Sequence, residues 1–245
     1  MYHWNKTVVE GLDVLDPITR ILDMSRIGPV LTFEDEAVRK GPPVTAMLVQ
    51  NTNPAVVAPD TNRVLKGLKR DDLFLCVHEQ FLTETAQLAD IVLPATMFLE
   101  HDDIYQAGGH MHLQIHRAVI EAPEQTRSNH WVINELAKRL GAQHPGFEMT
   151  EWELIDKTLL DSGWPSADAL LEKKWHDVQP SFADSHFLNG FPTSTGRFQF
   201  SADWSKLGPL GSKLPNYPDH CDNIDSATAE KPFRLITSPA RNYLN

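Results

Sequence analysis

Groups able to do chemistry gather in three places along this chain. The densest is His101, His110, His112 and His116, with Asp102 and Asp103 beside the first of them. Imidazoles and carboxylates together suit zinc or iron, and on an extended segment His110 and His112 share a face. Their spacing matches no strong zinc motif. Gly108-Gly109 marks a loop, where polar side chains collect without any ligand. The second place is a pair of polar stretches, residues 51–60 and 78–83, which carry Asn53, His78 and Glu79. The third is Ser128-Asn129, a polar pair at the head of an apolar-striped segment.

Other chemistries are disfavoured. Cys76 and Cys221 are too few alone for an iron–sulfur cluster or a four-thiolate zinc site. Gly28, Gly41 and Gly67 build neither a Gly-x-Gly-x-x-Gly turn nor a phosphate-binding loop, which argues against an ordinary NAD or ATP enzyme. No serine–histidine combination has the context of a nucleophile elbow. The net charge of −11 is wrong for a nucleic-acid binder, which carries a basic face. It leaves room for a small phosphorylated ligand held by backbone N–H groups.

The elements that must position these residues can be read from periodicity. Residues 44–50 form a short apolar run between Pro42-Pro43 and Asn53-Pro54, the pattern of a buried strand. Residues 61–69 place Val64, Leu65 and Leu68 at helical spacing behind a cap at Asp60 or Thr61. Residues 73–77 and 91–94 read as two more buried strands, with a helical turn over 83–88 between them. Strand, helix, strand, helix, strand implies a parallel sheet. In such sheets ligands sit beyond the carboxyl ends of the strands, so 51–60 and 78–83 become the default ligand site. Residues 129–140 form the clearest helix, with an apolar stripe from Val132 to Leu140, a cap at Ser128 or Asn129 and a stop at Gly141.

Beyond residue 141 periodicity weakens. Helices are expected over 151–160 and 167–173, a half-buried strand over 197–201, a linker over 206–230 and a strand over 233–237. The length suits one large domain, or one domain and part of another. No apolar run approaches the roughly eighteen residues of a membrane span. The first residues lack the pattern of a signal peptide, so a cytoplasmic location is the default expectation.

The segment Thr83-Glu84-Thr85-Ala86-Gln87-Leu88-Ala89-Asp90-Ile91-Val92-Leu93-Pro94 resembles a signature of the dimethyl-sulfoxide-reductase family of molybdoenzymes, which includes formate dehydrogenases and nitrate reductases. Three further features stand at family-like spacing: Asn53-Pro54 before it, Glu100 after it, and the Leu136-Ala137-Lys138-Arg139-Leu140-Gly141 ending of the next helix. The resemblance covers residues 44–141 well, 142–231 poorly, and 232–245 as the first strand of the family's C-terminal cofactor-binding domain.

The resemblance implies an α/β fold. A Rossmann-like parallel-sheet domain occupies 1–143, an irregular extension and linker 144–230, and the start of a β-barrel-like domain 231–245. It implies a bis-molybdopterin guanine dinucleotide cofactor carrying molybdenum or tungsten, and two-electron redox at the metal. The metal's protein ligand, and the ligands of any 4Fe-4S cluster, belong to family regions outside this chain. Carried over position by position, Asn53 would bond phosphate or ribose, though Asn-Pro also favours a turn on its own. His78 and Glu79 match a pair in which the second residue is often Asp, and a carboxylate there can accept both N–H groups of a guanine edge. His101 matches a Lys or Arg position and would face a diphosphate. Asn129 matches a guanine-contacting Asp, with helix capping as its other reading. Thr237 and Arg241 fall in a stretch that reaches the pterin, and His110 or His112 would line the cofactor funnel.

Partners implied are the cofactor and an unidentified redox protein, with no nucleic acid and no membrane segment. Two other classes fit the same residues: a cofactor-free structural relative resembling a respiratory-complex subunit, and a stand-alone nucleotide-binding module. The polar loop residues Asn53, Glu79 and Asn129 favour a cofactor-holding domain over the first of these.

Overall fold

A computed structural model of the chain describes residues 20, 22–106, 108–201, 203–204, 214–217, 219 and 227–236. The chain divides into two compact units, one running through Val178 and the other beginning at Gln179.

The first unit is built on three parallel strands in the order β1-β2-β3, with β1 at Ala46–Gln50, β2 at Phe74–Glu79 and β3 at Ile91–Pro94. Val49 pairs with Val77 and Met47 with Leu75, so one face of the sheet carries Val49, Leu75 and Val77. Helices α1 (Ile27–Leu31) and α4 (Thr61–Leu68) contribute Leu31, Val64 and Leu68 to the same buried cluster. The short helices α2 (Glu36–Arg39) and α3 (Pro54–Val57) lie between these in sequence. At Gly67 an added Cβ would stand 2.4 Å from the Leu31 Cβ, so glycine is what lets the two helices approach. The other face is not covered as the sequence pattern predicts. Leu48 is 39% exposed, Phe74 50% and Ile91 45%. β1 and β2 largely alternate between a buried and a more open face, whereas no residue of β3 is buried.

A second, antiparallel sheet follows: β4 (Asp103–Gln106), β5 (His112–His116) and β6 (His176–Asp177), with β5 in the centre. Helix α5 (Asn129–Leu140) starts at Ser128, whose hydroxyl accepts from the Trp131 N–H, and stops at the left-handed Gly141. Helix α6 (Glu151–Asp161) opens with a reciprocal Thr150–Glu153 capping box, and α7 spans Ala167–Lys173. Both helices stand close to where periodicity puts them. They lay Ile155, Leu159, Ala167 and Leu170 against Leu113 and Ile115 in a second core. That packing carries the first compact unit past residue 143 to Val178.

In the second unit, α8 (Phe182–Ser185) is followed by a tight turn in which the Phe191 N–H donates to the Gly196 carbonyl, 3.0 Å. The strand expected over 197–201 does not form. The Thr193 hydroxyl takes the Arg197 carbonyl, 2.8 Å, which a ladder would need. Residues 233–236 are irregular too. They have no ladder partner among the described residues, and Phe233, Leu235 and Ile236 stand at least 83% exposed. Among the described residues no helix is long and apolar enough to cross a membrane.

Candidate functional site

The parallel sheet ends its three strands on one edge, and a cavity of about 480 Å³ opens there. Asn51 follows β1, Gln80 follows β2 and Thr96 follows β3, and all three line the cavity. Its far wall is the first turn of α5, with Ser128, Asn129 and His130, and the first turn of α6 at Glu151. His101, Asp102 and Asp103 complete the rim, and Phe98, Phe147 and Ile155 give it apolar surface. The location follows the rule for open parallel sheets. The volume lies in the range of small-molecule sites.

The residues singled out from sequence separate into two groups here. Asn53, His78 and Glu79 do not line the cavity. The Asn53 carbonyl accepts from the Thr85 hydroxyl at 2.7 Å and the Thr85 N–H at 3.2 Å, and its amide donates to Glu84 at 2.8 Å. Thr85 is fully buried, and its oxygen also accepts from the Ala55 N–H, 3.0 Å. Asn53 therefore clasps the loop after β1 to the loop after β2. The hydrogen bond from Asn53 holds the Glu84 carboxyl below the usual carboxylate range, helped by Glu84's own N–H. His78 is fully buried. Its Nε2 faces the Arg127 carbonyl at 3.0 Å and so donates, which leaves Nδ1 to accept from the Gln50 amide at 3.3 Å. It is a strut between β2 and the segment that enters α5. Glu79 folds back to accept from the Gln80 N–H, 2.7 Å.

His101 and Asn129 do line the cavity. His101 is not turned toward an open cationic site. Its Nδ1 lies 2.8 Å from the Thr96 hydroxyl and its Nε2 3.7 Å from Asp103. Asn129 is exposed and stands one residue after the capping Ser128. Capping is thus done by its neighbour, and Asn129 is an exposed residue of the cavity lining. Thr237 and Arg241 lie outside the described residues. The other histidines of the cluster disperse. His110 and His112 are exposed at the β4–β5 hairpin with ring centroids 5.2 Å apart, and His116 lies 2.7 Å from the Tyr105 hydroxyl. None of these three lines the cavity. Among the described residues no three His, Cys, Asp or Glu side chains gather closely enough to hold a metal ion.

Sequence reasoning placed Gln80 within the 78–83 stretch without singling it out, and missed Thr96 and Glu151. The strand-end rule reaches Thr96 two residues past β3. No local pattern places Glu151, which arrives through the packing of α6.

Comparison with known proteins gives the site its context. Residues 30–139 match the family described as molybdopterin oxidoreductase. The probable oxidoreductase YoaE of Bacillus subtilis is 34% identical over 99% of this chain and 34% of its own length. The dimethyl sulfoxide/trimethylamine N-oxide reductase of Rhodobacter capsulatus is 30% identical over 93% of this chain and 29% of its own. Among solved structures, acetylene hydratase from Pelobacter acetylenicus superposes with a TM-score of 0.63 at 22% identity, over 84% of this chain and 27% of that one. The likeness supports the α/β architecture. The chain spans about a third of the length of these curated relatives.

Proposed function

Because residues 30–139 belong to the molybdopterin oxidoreductase family, we propose that this chain holds a guanine dinucleotide arm of a bis-molybdopterin cofactor in a molybdenum- or tungsten-dependent oxidoreductase. The observation that carries the reading is the cavity at the carboxyl ends of β1, β2 and β3. Its volume of about 480 Å³ suits a purine with its ribose and is too small for a whole molybdopterin dinucleotide. The lining supplies both partners that guanine needs. Asp103 accepts hydrogen bonds, and Gln80 and Asn129 offer amides. The terminal nucleoside of the arm sits in this cavity in the proposed arrangement. By the family resemblance, Thr237 and Arg241 would contact the pterin in the same proposal.

When bound, the cofactor supplies two-electron redox chemistry at its metal, with transfer of an oxygen atom or a hydride. The work of this chain's own residues is to bind and orient. The clasp at Asn53 and the strut at His78 hold the loop and helix ends that form the cavity walls. The metal's ligand, any 4Fe-4S cluster and the redox partner belong to other parts of the protein or to other proteins. The chain alone, free of metal, is expected to show no turnover. A cytoplasmic location remains part of the proposal.

The test is a titration of the 245-residue chain with guanosine and, separately, adenosine, followed by amide chemical shifts. Guanosine is expected to move Gln80, Thr96 and Asn129, and adenosine to move them less. Asn129→Ala should weaken guanosine about tenfold, the equivalent of one hydrogen bond of roughly 1.4 kcal/mol. Equal responses to the two nucleosides, or shifts confined to residues away from the cavity, would sink the assignment.

A further inference from the structure

We infer that the cavity at the carboxyl edge of the parallel sheet accepts an uncharged nucleoside and excludes the phosphates attached to it. This rests on the guanine-end reading above and sharpens it. Three carboxylates line the cavity, Asp102, Asp103 and Glu151, and among the described residues no lysine or arginine lines it. The usual means of drawing a phosphate into a pocket, a fork of cationic donors, is therefore missing from the wall.

Two arginines close to lining residues in sequence or by contact use their charge elsewhere: Arg127 donates to the Glu124 and Thr126 carbonyls, 2.7 Å each. Arg117 donates to Asp102 at 2.9 Å and stacks its charged end 3.5 Å from the Trp152 ring centre. Asp102 accepts from the Ala118 N–H as well, 2.9 Å, so each of its oxygens already has a partner outside the cavity lining. The start of α5 would otherwise attract an anion. Here the Ser128 hydroxyl already accepts from the Trp131 N–H, and the Glu151 carboxylate is hydrogen-bonded to that same hydroxyl. A protein carboxylate thus stands where a phosphate would bind.

Of the three carboxylates, Asp103 has an oxygen left to meet a ligand. One of its oxygens accepts from the Ile104 N–H at 2.8 Å, and the other lies 3.7 Å from the His101 Nε2, beyond hydrogen-bond range. That second oxygen offers acceptor capacity at the rim. It suits N–H and O–H donors and repels a phosphate. A ligand with a neutral, donor-rich end and a charged remainder would enter neutral end first, leaving its phosphates outside the mouth. The cavity would then set the direction of the whole dinucleotide arm.

The experiment is a calorimetric titration of the 245-residue chain with guanosine, GMP and GDP, at low salt and at high salt, with Asp103→Asn alongside. Affinity is expected to fall in that order, by about fivefold per phosphate at low salt, and the gap should shrink when salt screens the carboxylates. Asp103→Asn should narrow the interval between guanosine and GDP, while circular dichroism reports whether the variant stays folded. GDP binding as tightly as guanosine in the unaltered chain would overturn the exclusion and leave the guanine-end reading standing. If a folded chain binds none of the three, the guanine-end reading itself falls, and the exclusion falls with it.

Discussion

Two clusters of polar residues stand near the carboxyl ends of the parallel strands, and they use their hydrogen bonds in opposite ways. In the clasp, the Asn53 carbonyl, the Thr85 hydroxyl, the Ala55 N–H and the Glu84 carboxylate satisfy one another. At the cavity, Asn129 and Asp103 are lining residues, and one Asp103 oxygen has no partner within hydrogen-bond range. The family signature marks the clasp more strongly than the rim. A recurring polar pattern at strand ends is thus as well suited to locking two loops as to touching a ligand. Burial and partner geometry decide between the two uses. Fully buried Thr85 is committed to the scaffold, whereas exposed Asn129 is available.

If the division is right, scaffold substitutions lower stability and leave the nucleoside affinity of the folded protein nearly unchanged. The largest effect is expected at His78. Truncation in His78→Ala removes a fully buried ring and strands the Arg127 carbonyl and the Gln50 amide. The cost should be about 3 kcal/mol in a denaturant melt, combining lost packing with unmet hydrogen bonds. Unchanged stability with lost guanosine binding would move His78 to the ligand side. A smaller loss, about 2 kcal/mol, is expected for Thr85→Val, which keeps the shape and leaves the Ala55 N–H without its acceptor. The same melt measures it, and no loss would mean that the clasp adds little to the fold.

The same contrast explains what was legible in the sequence. Periodicity is a property of many residues facing one core, so the three parallel strands and the helices at 129–140, 151–160 and 167–173 could be read nearly to their ends. The strand expected over 197–201 fails because alternation records a pattern of side chains and says nothing about a ladder partner. There Thr193 captures the Arg197 carbonyl instead. The open face carrying Leu48, Phe74 and Ile91 was hidden for a related reason, since an apolar residue looks the same in sequence whether it is covered or not. At the candidate site, the strand-end rule points to the edge of the sheet where the cavity opens. It could not separate Asn53 from Asn129, because both are asparagines at element boundaries and differ only in which neighbour binds them. The rim group Glu151 comes from a distant helix and left no local signal.

The smallest expected effect is the most direct test of the clasp, because it reads one bond of it. Glu84 has its carboxyl pKa lowered from 4.5, first by the Asn53 amide and then by its own N–H. A carboxylate with a lowered folded-state pKa contributes stability that is present above pH 4.5 and is lost as pH falls through the lowered value. Asn53→Ala removes the larger cause and keeps the smaller. The Glu84 pKa should therefore rise toward 4.5 without fully reaching it, as followed by carboxyl carbon shifts. The acid-side loss of stability assigned to this group should flatten over the same window. Glu84 is solvent-facing, so the change in overall stability from its titration will be slight. An unmoved Glu84 pKa in Asn53→Ala would show that the clasp does not hold in solution. A normal Glu84 shift accompanied by loss of guanosine binding would show that Asn53 serves both scaffold and ligand, and the division between the two clusters would dissolve.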